Sequence, residues 1–257
     1  MRIDHSPDLP AVPPAIVGAI GRPLIFEAMA PFERRRLRRA DIDLPPGDGR
    51  PVVIATGYFA PPSSADELAG WLRSAGYRVE IADMNRNRRT SSEAVERIEA
   101  ALEAVDGPAL LIGHSRGGQQ SRVATQRRPD LVSELITLGA PVRVHLPRQF
   151  VLRGSVEASR LAARLGLLAG ADEAADTAYE RDLADPFAVD VPWTTVWSRR
   201  DGIVEWQLCL DPAATSIEVT CSHTGLLASS ASYRAIAQAL RAGSAEPVEH
   251  RGAGRET

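Results

Sequence analysis

The chain has almost no cysteine: two in 257 residues, Cys209 and Cys221. Two thiols cannot supply the ligand cluster of a structural zinc site, and neither stands in a turn that would present a nucleophile. They flank the segment leading into His223, so they form either a bridge that braces it or two free thiols, and an intracellular address favours the thiols. A strong charge of one sign is also missing. Thirty basic residues against 33 acidic ones leave a net charge of −3, without the basic excess that nucleic-acid binding needs. No apolar run approaches the roughly 20 residues that cross a bilayer. Residues 1–14 are polar and proline-rich, with neither the basic start nor the apolar core of a secretory leader. A cytoplasmic protein is expected.

What is present suffices for a large core. With 44% hydrophobic residues, a chain of this length commonly folds as one domain. Strand-like runs at 52–56, 77–82, 109–113, 134–138, 194–198 and 216–220 alternate with helical patterns near 64–75, 91–105 and 117–127. That alternation predicts the α/β class, a mostly parallel sheet with helices on both faces. Ligands bind beyond the carboxyl ends of such strands, where Thr56, Met84, Ser115, Ala140, Asp201 and His223 fall. The expected organisation is an N-terminal extension over 1–49, a domain over 50–241 interrupted by an insertion at about 141–191, and a tail over 242–257 rich in glycine and charge.

The run Gly113, His114, Ser115, Arg116, Gly117 follows an apolar strand and opens a helix, the layout of a nucleophile elbow. Flanking glycines allow the sharp turn that pushes the Ser115 hydroxyl clear of its neighbours. A serine needs a histidine to take its proton and a carboxylate to orient that histidine. Of the five histidines, His5 and His250 lie towards the ends, His114 is inside the elbow, and His145 begins an irregular stretch before a proline. His223 remains, in a loop after a strand. Asp201 has a similar address, in the turn Arg199, Arg200, Asp201, Gly202; Asp185, Asp190 and Asp211 are the competing carboxylates. The order is Ser115, Asp201, His223.

Segments 52–59, 110–118, 135–141, 191–206 and 217–225 resemble the α/β-hydrolase family, in particular its bacterial esterase and lipase branch. The resemblance implies the α/β-hydrolase fold with a helical cap formed by the insertion, in which 155–168 has helical spacing; the bland alternative is helices packed permanently on the core. It also implies an oxyanion hole from the backbone N–H of Arg116 and an N–H in the loop Thr56, Gly57, Tyr58, Phe59. Relatives usually carry His-Gly there, and Thr56 replaces that histidine. Matching the glycine makes Tyr58 the donor, with Phe59 second.

The function expected is hydrolysis of small-molecule carboxylic esters by a Ser-His-Asp triad through an acyl-enzyme, with no metal or organic cofactor. The same residues would serve a thioesterase or acyltransferase, and a non-catalytic receptor on the same fold is the alternative of another class. Phe59, Arg86 and Trp206 are substrate-binding candidates. Arg86, Arg88 and Arg89 follow a strand at the ligand edge, where they attract an acidic substrate or cap the next helix. Arg34, Arg35, Arg36, Arg38 and Arg39 form either a solvated helix face or a basic patch for an anionic membrane surface. Trp193 and Trp197 read as core.

Overall fold

The computed structural model describes residues 26–38, 40–87, 90–142 and 176–245. Six parallel strands carry the architecture: β1 (Pro51–Ala55), β2 (Arg78–Ile81), β3 (Ala109–His114), β4 (Val132–Leu138), β5 (Trp193–Ser198) and β6 (Thr215–Val219), in the order β2-β1-β3-β4-β5-β6. The inner strands β1, β3 and β5 are buried at every position. β1 and β3 read as nearly continuous apolar runs because helices cover both faces. The edge strands β2 and β6 keep charged Glu80 and Glu218 in partly open positions, which discourages pairing with another sheet.

Side chains alternate between the two faces, and the core divides accordingly. Val52, Ile54, Leu110, Ile112, Ile136 and Leu138 pack with α1 (Ala30–Leu37), α2 (Asp66–Ser74) and α6 (Ser230–Ala245). Val53, Ala55, Ala109, Leu111 and Leu135 pack with α3 (Ser91–Glu103), α4 (Arg116–Arg127) and α5 (Thr177–Ala184). Helix α2 buries Leu68, Ala69 and Leu72 on one stripe, and each of its leucines contributes about 1.5–3 kcal/mol through removal from water. Thr90 caps the start of helix α3, its hydroxyl accepting the Glu93 N–H at 3.3 Å.

The strand order reverses direction at β1, whose neighbours β2 and β3 lie on opposite sides. The crevice of such a sheet opens at the carboxyl ends of the strands flanking this point. The loop after β1 and the Ser115 turn after β3 therefore share one rim.

The chain on either side of residues 143–175 is tied down. Val142 N–H donates to the Leu208 carbonyl at 2.9 Å, and the Asp176 carboxylate accepts the Ser92 N–H at 2.7 Å. At the end of α5, the buried Arg122 donates to the carbonyls of Leu183 (3.2 Å) and Asp185 (2.7 Å) and lies over the rings of Phe187 and Trp193. The helix expected over 155–168 lies outside the described residues, as do His5, Arg39, Arg88, Arg89, His145 and His250.

The basic cluster and the two cysteines have defined surroundings. Arg34 and Arg38 of the basic cluster both engage Glu67 of α2, at 2.8 and 3.3 Å, so part of that cluster ties α1 to the domain. Cys209 and Cys221 are free, buried thiols. Burial pushes both up, Cys221 to about 12, which leaves them protonated and unreactive at neutral pH. Among the described residues, no helix is long and apolar enough to cross a membrane.

Candidate active site

The site grows from the end of β3. Ser115 has φ 55 and ψ −127, a conformation that costs a non-glycine residue about 1–3 kcal/mol and persists only where its surroundings enforce it. Its N–H donates to the Leu138 carbonyl at 2.8 Å, extending the β3-β4 ladder by one bond, and its carbonyl accepts the N–H groups of Gly118 (3.0 Å) and Gln119 (3.2 Å) to start α4. Helix α4 then runs hard against β1: a Cβ on Gly117 would lie 2.5 Å from the Thr56 carbonyl oxygen and 2.6 Å from that of Ala55. The strained turn thus holds Ser115 half-buried at the rim rather than inside the core.

Asp201 and His223 meet beside this turn. His223 Nδ1 and Asp201 Oδ2 are 2.6 Å apart. Since a carboxylate accepts, Nδ1 carries the proton. The other carboxylate oxygen, Oδ1, accepts the N–H groups of Ile203 (2.8 Å) and Val204 (2.7 Å), fixing the orientation of Asp201 from its own loop. Both side chains are almost fully buried. Burial works against the charged imidazole, yet the Asp201 charge and hydrogen bond, helped by Glu27, raise the His223 pKa above its ordinary value. Gly139, at φ 55 after β4, makes the room: a Cβ there would sit 3.0 Å from Asp201 Oδ2 and 3.3 Å from His223 Nδ1. The competing Asp211 is occupied in its own turn, accepting the Ala213 N–H at 3.0 Å.

His114, next to Ser115, links the two halves of the site. Its ring lies 4.7 Å from that of His223, and its Nε2–H donates to the His223 carbonyl at 3.1 Å. Its buried Nδ1 has no hydrogen-bond partner among the described residues. Burial first, then the nearby His223 charge, drives its pKa down to about 3. The sign for stability follows. Below about pH 6.5 the unfolded chain takes a proton at His114 that the folded protein refuses, so stability falls with pH, by roughly tenfold in the folding equilibrium per pH unit. His223, with its raised pKa, acts oppositely: its contribution is present below that same pH and is lost as pH rises through its folded value. Urea unfolding at pH 7 and pH 5 should show a smaller loss of midpoint in His114→Gln than in the wild type; equal losses would refute the assignment.

The loop after β1 borders Ser115, since a Cβ on Gly57 would lie 3.0 Å from Ser115 Cβ. The Arg116 guanidinium stands 5.3 Å from the centre of the Tyr58 ring, and Tyr58 packs on Phe59 with centroids 4.1 Å apart. Phe59, the second choice of donor in this loop, does not serve: its N–H donates to the Arg86 carbonyl at 2.9 Å. Arg86 holds this loop by its backbone, its side chain being exposed. It belongs to a left-handed turn in which Asn85, Arg86 and Asn87 have φ of 44, 56 and 51. Asparagine tolerates that region. The buried Asn87 amide secures the turn, donating to the Thr56 carbonyl at 3.1 Å and exchanging bonds of 2.7 and 3.0 Å with Gln120. Trp206 stacks on Trp197 at 4.8 Å with the Arg199 guanidinium over both rings.

Sequence reasoning missed Glu27 and Glu33. Glu27 Oε1 accepts the His223 N–H at 2.8 Å, and Glu33 Oε1 accepts the Ser222 N–H at 2.9 Å. No local signal reveals them, because their partners lie about 190 residues further on.

No protein-family model matches the sequence, and no curated protein does. Solved structures do match, and they define the architecture: the chain has the α/β-hydrolase fold. Mouse alpha/beta hydrolase domain-containing protein 10 superposes with a TM-score of 0.56 at 18% identity, over 78% of this chain and 91% of that one. An alpha/beta-hydrolase enzyme from the metagenome of lagoon sediments at Mar Chica, Morocco, gives 0.52 at 18%, over 77% and 91%. Polyneuridine aldehyde esterase gives 0.51 at 19%, over 76% and 99%.

Proposed function

We propose that the protein is a serine hydrolase that cleaves carboxylic esters. The observation that carries this reading is the His223–Asp201 hydrogen bond of 2.6 Å, set beside an elbow that holds Ser115 in a left-handed conformation. His223 Nε2 takes the proton of Ser115 as its Oγ attacks the substrate carbonyl carbon, and Asp201 stabilises the imidazolium through Nδ1–H. The N–H groups of Arg116 and Tyr58 receive the oxyanion. Collapse of the tetrahedral intermediate expels the alcohol with the proton from His223, leaving a serine ester. Water, activated by the same imidazole, then releases the acid and restores the hydroxyl. Every proton in the cycle moves through one histidine, and no metal or organic cofactor enters a step.

The substrate class is an uncharged or modestly acidic acyl ester. Phe59, on the loop that borders Ser115, supplies an apolar wall, and the exposed Arg86 at the same rim meets an acidic group. The test is hydrolysis of p-nitrophenyl esters from short to long acyl chains, with Ser115→Ala as control, together with fluorophosphonate labelling. We expect serine-dependent turnover and one label per chain at Ser115. A folded wild-type protein that neither turns over any ester nor takes the label would end the esterase reading.

A further inference from the structure

We infer that Glu27, which precedes the sheet in the chain, is a positioning residue for His223. Its catalytic consequence rests on the esterase reading; its contacts do not. Glu27 opens the short 3-10 turn Glu27–Met29. Its Oε1 accepts the N–H of His223 at 2.8 Å and that of Gly202 at 3.4 Å, and its Oε2 accepts the N–H of Thr224 at 3.0 Å and the Thr224 hydroxyl. One carboxylate therefore spans the histidine loop and the acid loop, the two segments whose spacing sets the His223–Asp201 bond. A backbone N–H fixed at His223 fixes the origin from which its imidazole reaches Asp201.

The turn that bears Glu27 is itself anchored. Glu33, on α1, accepts the Ser222 N–H at 2.9 Å and the Ser222 hydroxyl at 2.6 Å, while Leu37 enters the core and Arg34 and Arg38 hold Glu67. Residues 222–224 thus give three successive N–H groups to two carboxylates from one preceding segment. These donors stand at the start of the 3-10 turn Thr224–Leu227, where a helical turn leaves its first N–H groups without internal acceptors.

Charge adds to position. The ionisable groups around His223 are Asp201 from the acid loop, the His114 ring from the end of β3, the Cys221 thiol, Glu33 through Ser222, and Glu27. His114 is neutral because burial depresses it, and Cys221 is protonated because burial raises it. Asp201 and Glu27 are the anions that favour the imidazolium. Glu27 is kept ionised in turn: burial opposes its charge, but the bonds from Thr224 and His223 outweigh it and lower its pKa.

The test compares Glu27→Gln, which keeps the shape and one acceptor but loses the charge, with Glu27→Ala. Two quantities are read in full-length protein: the titration of His223 by NMR, assigned with His223→Gln, and the pH profile of ester hydrolysis. We expect His223 to titrate about half a pH unit lower in Glu27→Gln, because a stabilising anion is gone. The acidic limb of kcat/KM should move down by the same amount while plateau kcat falls about tenfold and KM holds, the signature of a displaced base. Glu27→Ala should lose more. An unchanged His223 titration in both variants would overturn the inference, as would an activity loss that follows unfolding and leaves the acidic limb in place. If wild-type Ser115 takes no label, the esterase reading fails separately and the NMR titration alone decides the role of Glu27.

Discussion

Asp201→Asn is expected to leave the protein folded and to lower kcat by about four orders of magnitude. Asp201 has two jobs that the substitution separates. Its Oδ1 receives the N–H groups of Ile203 and Val204, and an asparagine oxygen can do the same, so the acid loop keeps its shape. Its Oδ2 receives Nδ1–H of His223, and there an amide NH2 would donate instead. The imidazole must then carry its proton on Nε2, the nitrogen that has to accept from Ser115. Thermal unfolding should move little while turnover at pH 8 collapses. A loss of less than about tenfold would mean that another carboxylate orients His223, and Glu27 would be the first to examine by double substitution.

The second large effect comes from a single methyl group. Gly117→Ala would drive Cβ into the carbonyl oxygens of Ala55 and Thr56, backbone at the end of the central strand β1 that cannot swing aside as a side chain can. Helix α4 must lift from β1, at a cost of about 3 kcal/mol, corresponding to a fall of roughly 6–12 °C in Tm for a chain of this size. Activity should fall further than stability, because the same shift moves Ser115 and the Arg116 N–H. Gly70→Ala provides the contrast, since nothing lies within 4 Å of the added atom. In that helical position alanine should stabilise by about 0.5–1 kcal/mol. Equal Tm values for the two variants would refute the packing argument.

Much of this arrangement was legible in the chain, for identifiable reasons. Buried parallel strands need apolar residues on both faces, so β1 and β3 announce themselves as short continuous runs, and the observed strands start or stop within two residues of the expected ones. The elbow is legible because the turn demands small residues at fixed offsets from Ser115. Asp201 and His223 follow from their position after strands, and the structure brings them together. What stayed hidden depends on contacts between distant segments. Nothing local distinguishes Glu27 or Glu33 from other acidic residues near an arginine-rich helix. The Asn87–Gln120 exchange joins residues 33 positions apart, and the Phe59 N–H is taken by a carbonyl whose direction depends on three left-handed residues in a row. Backbone hydrogen bonds made by loops follow from where the loops finally lie, and sequence periodicity does not carry that information.

The fastened chain on either side of residues 143–175 has a consequence for engineering. Val142 is bonded to Leu208 before residue 143, and Asp176 to Ser92 after residue 175, with Arg122 clamping the chain that returns to β5. None of these bonds uses a residue between 143 and 175. The two posts are therefore held by the domain's own residues, and, on the proposed esterase reading, exchanging the stretch between them for others of different length and polarity tests whether it selects among esters.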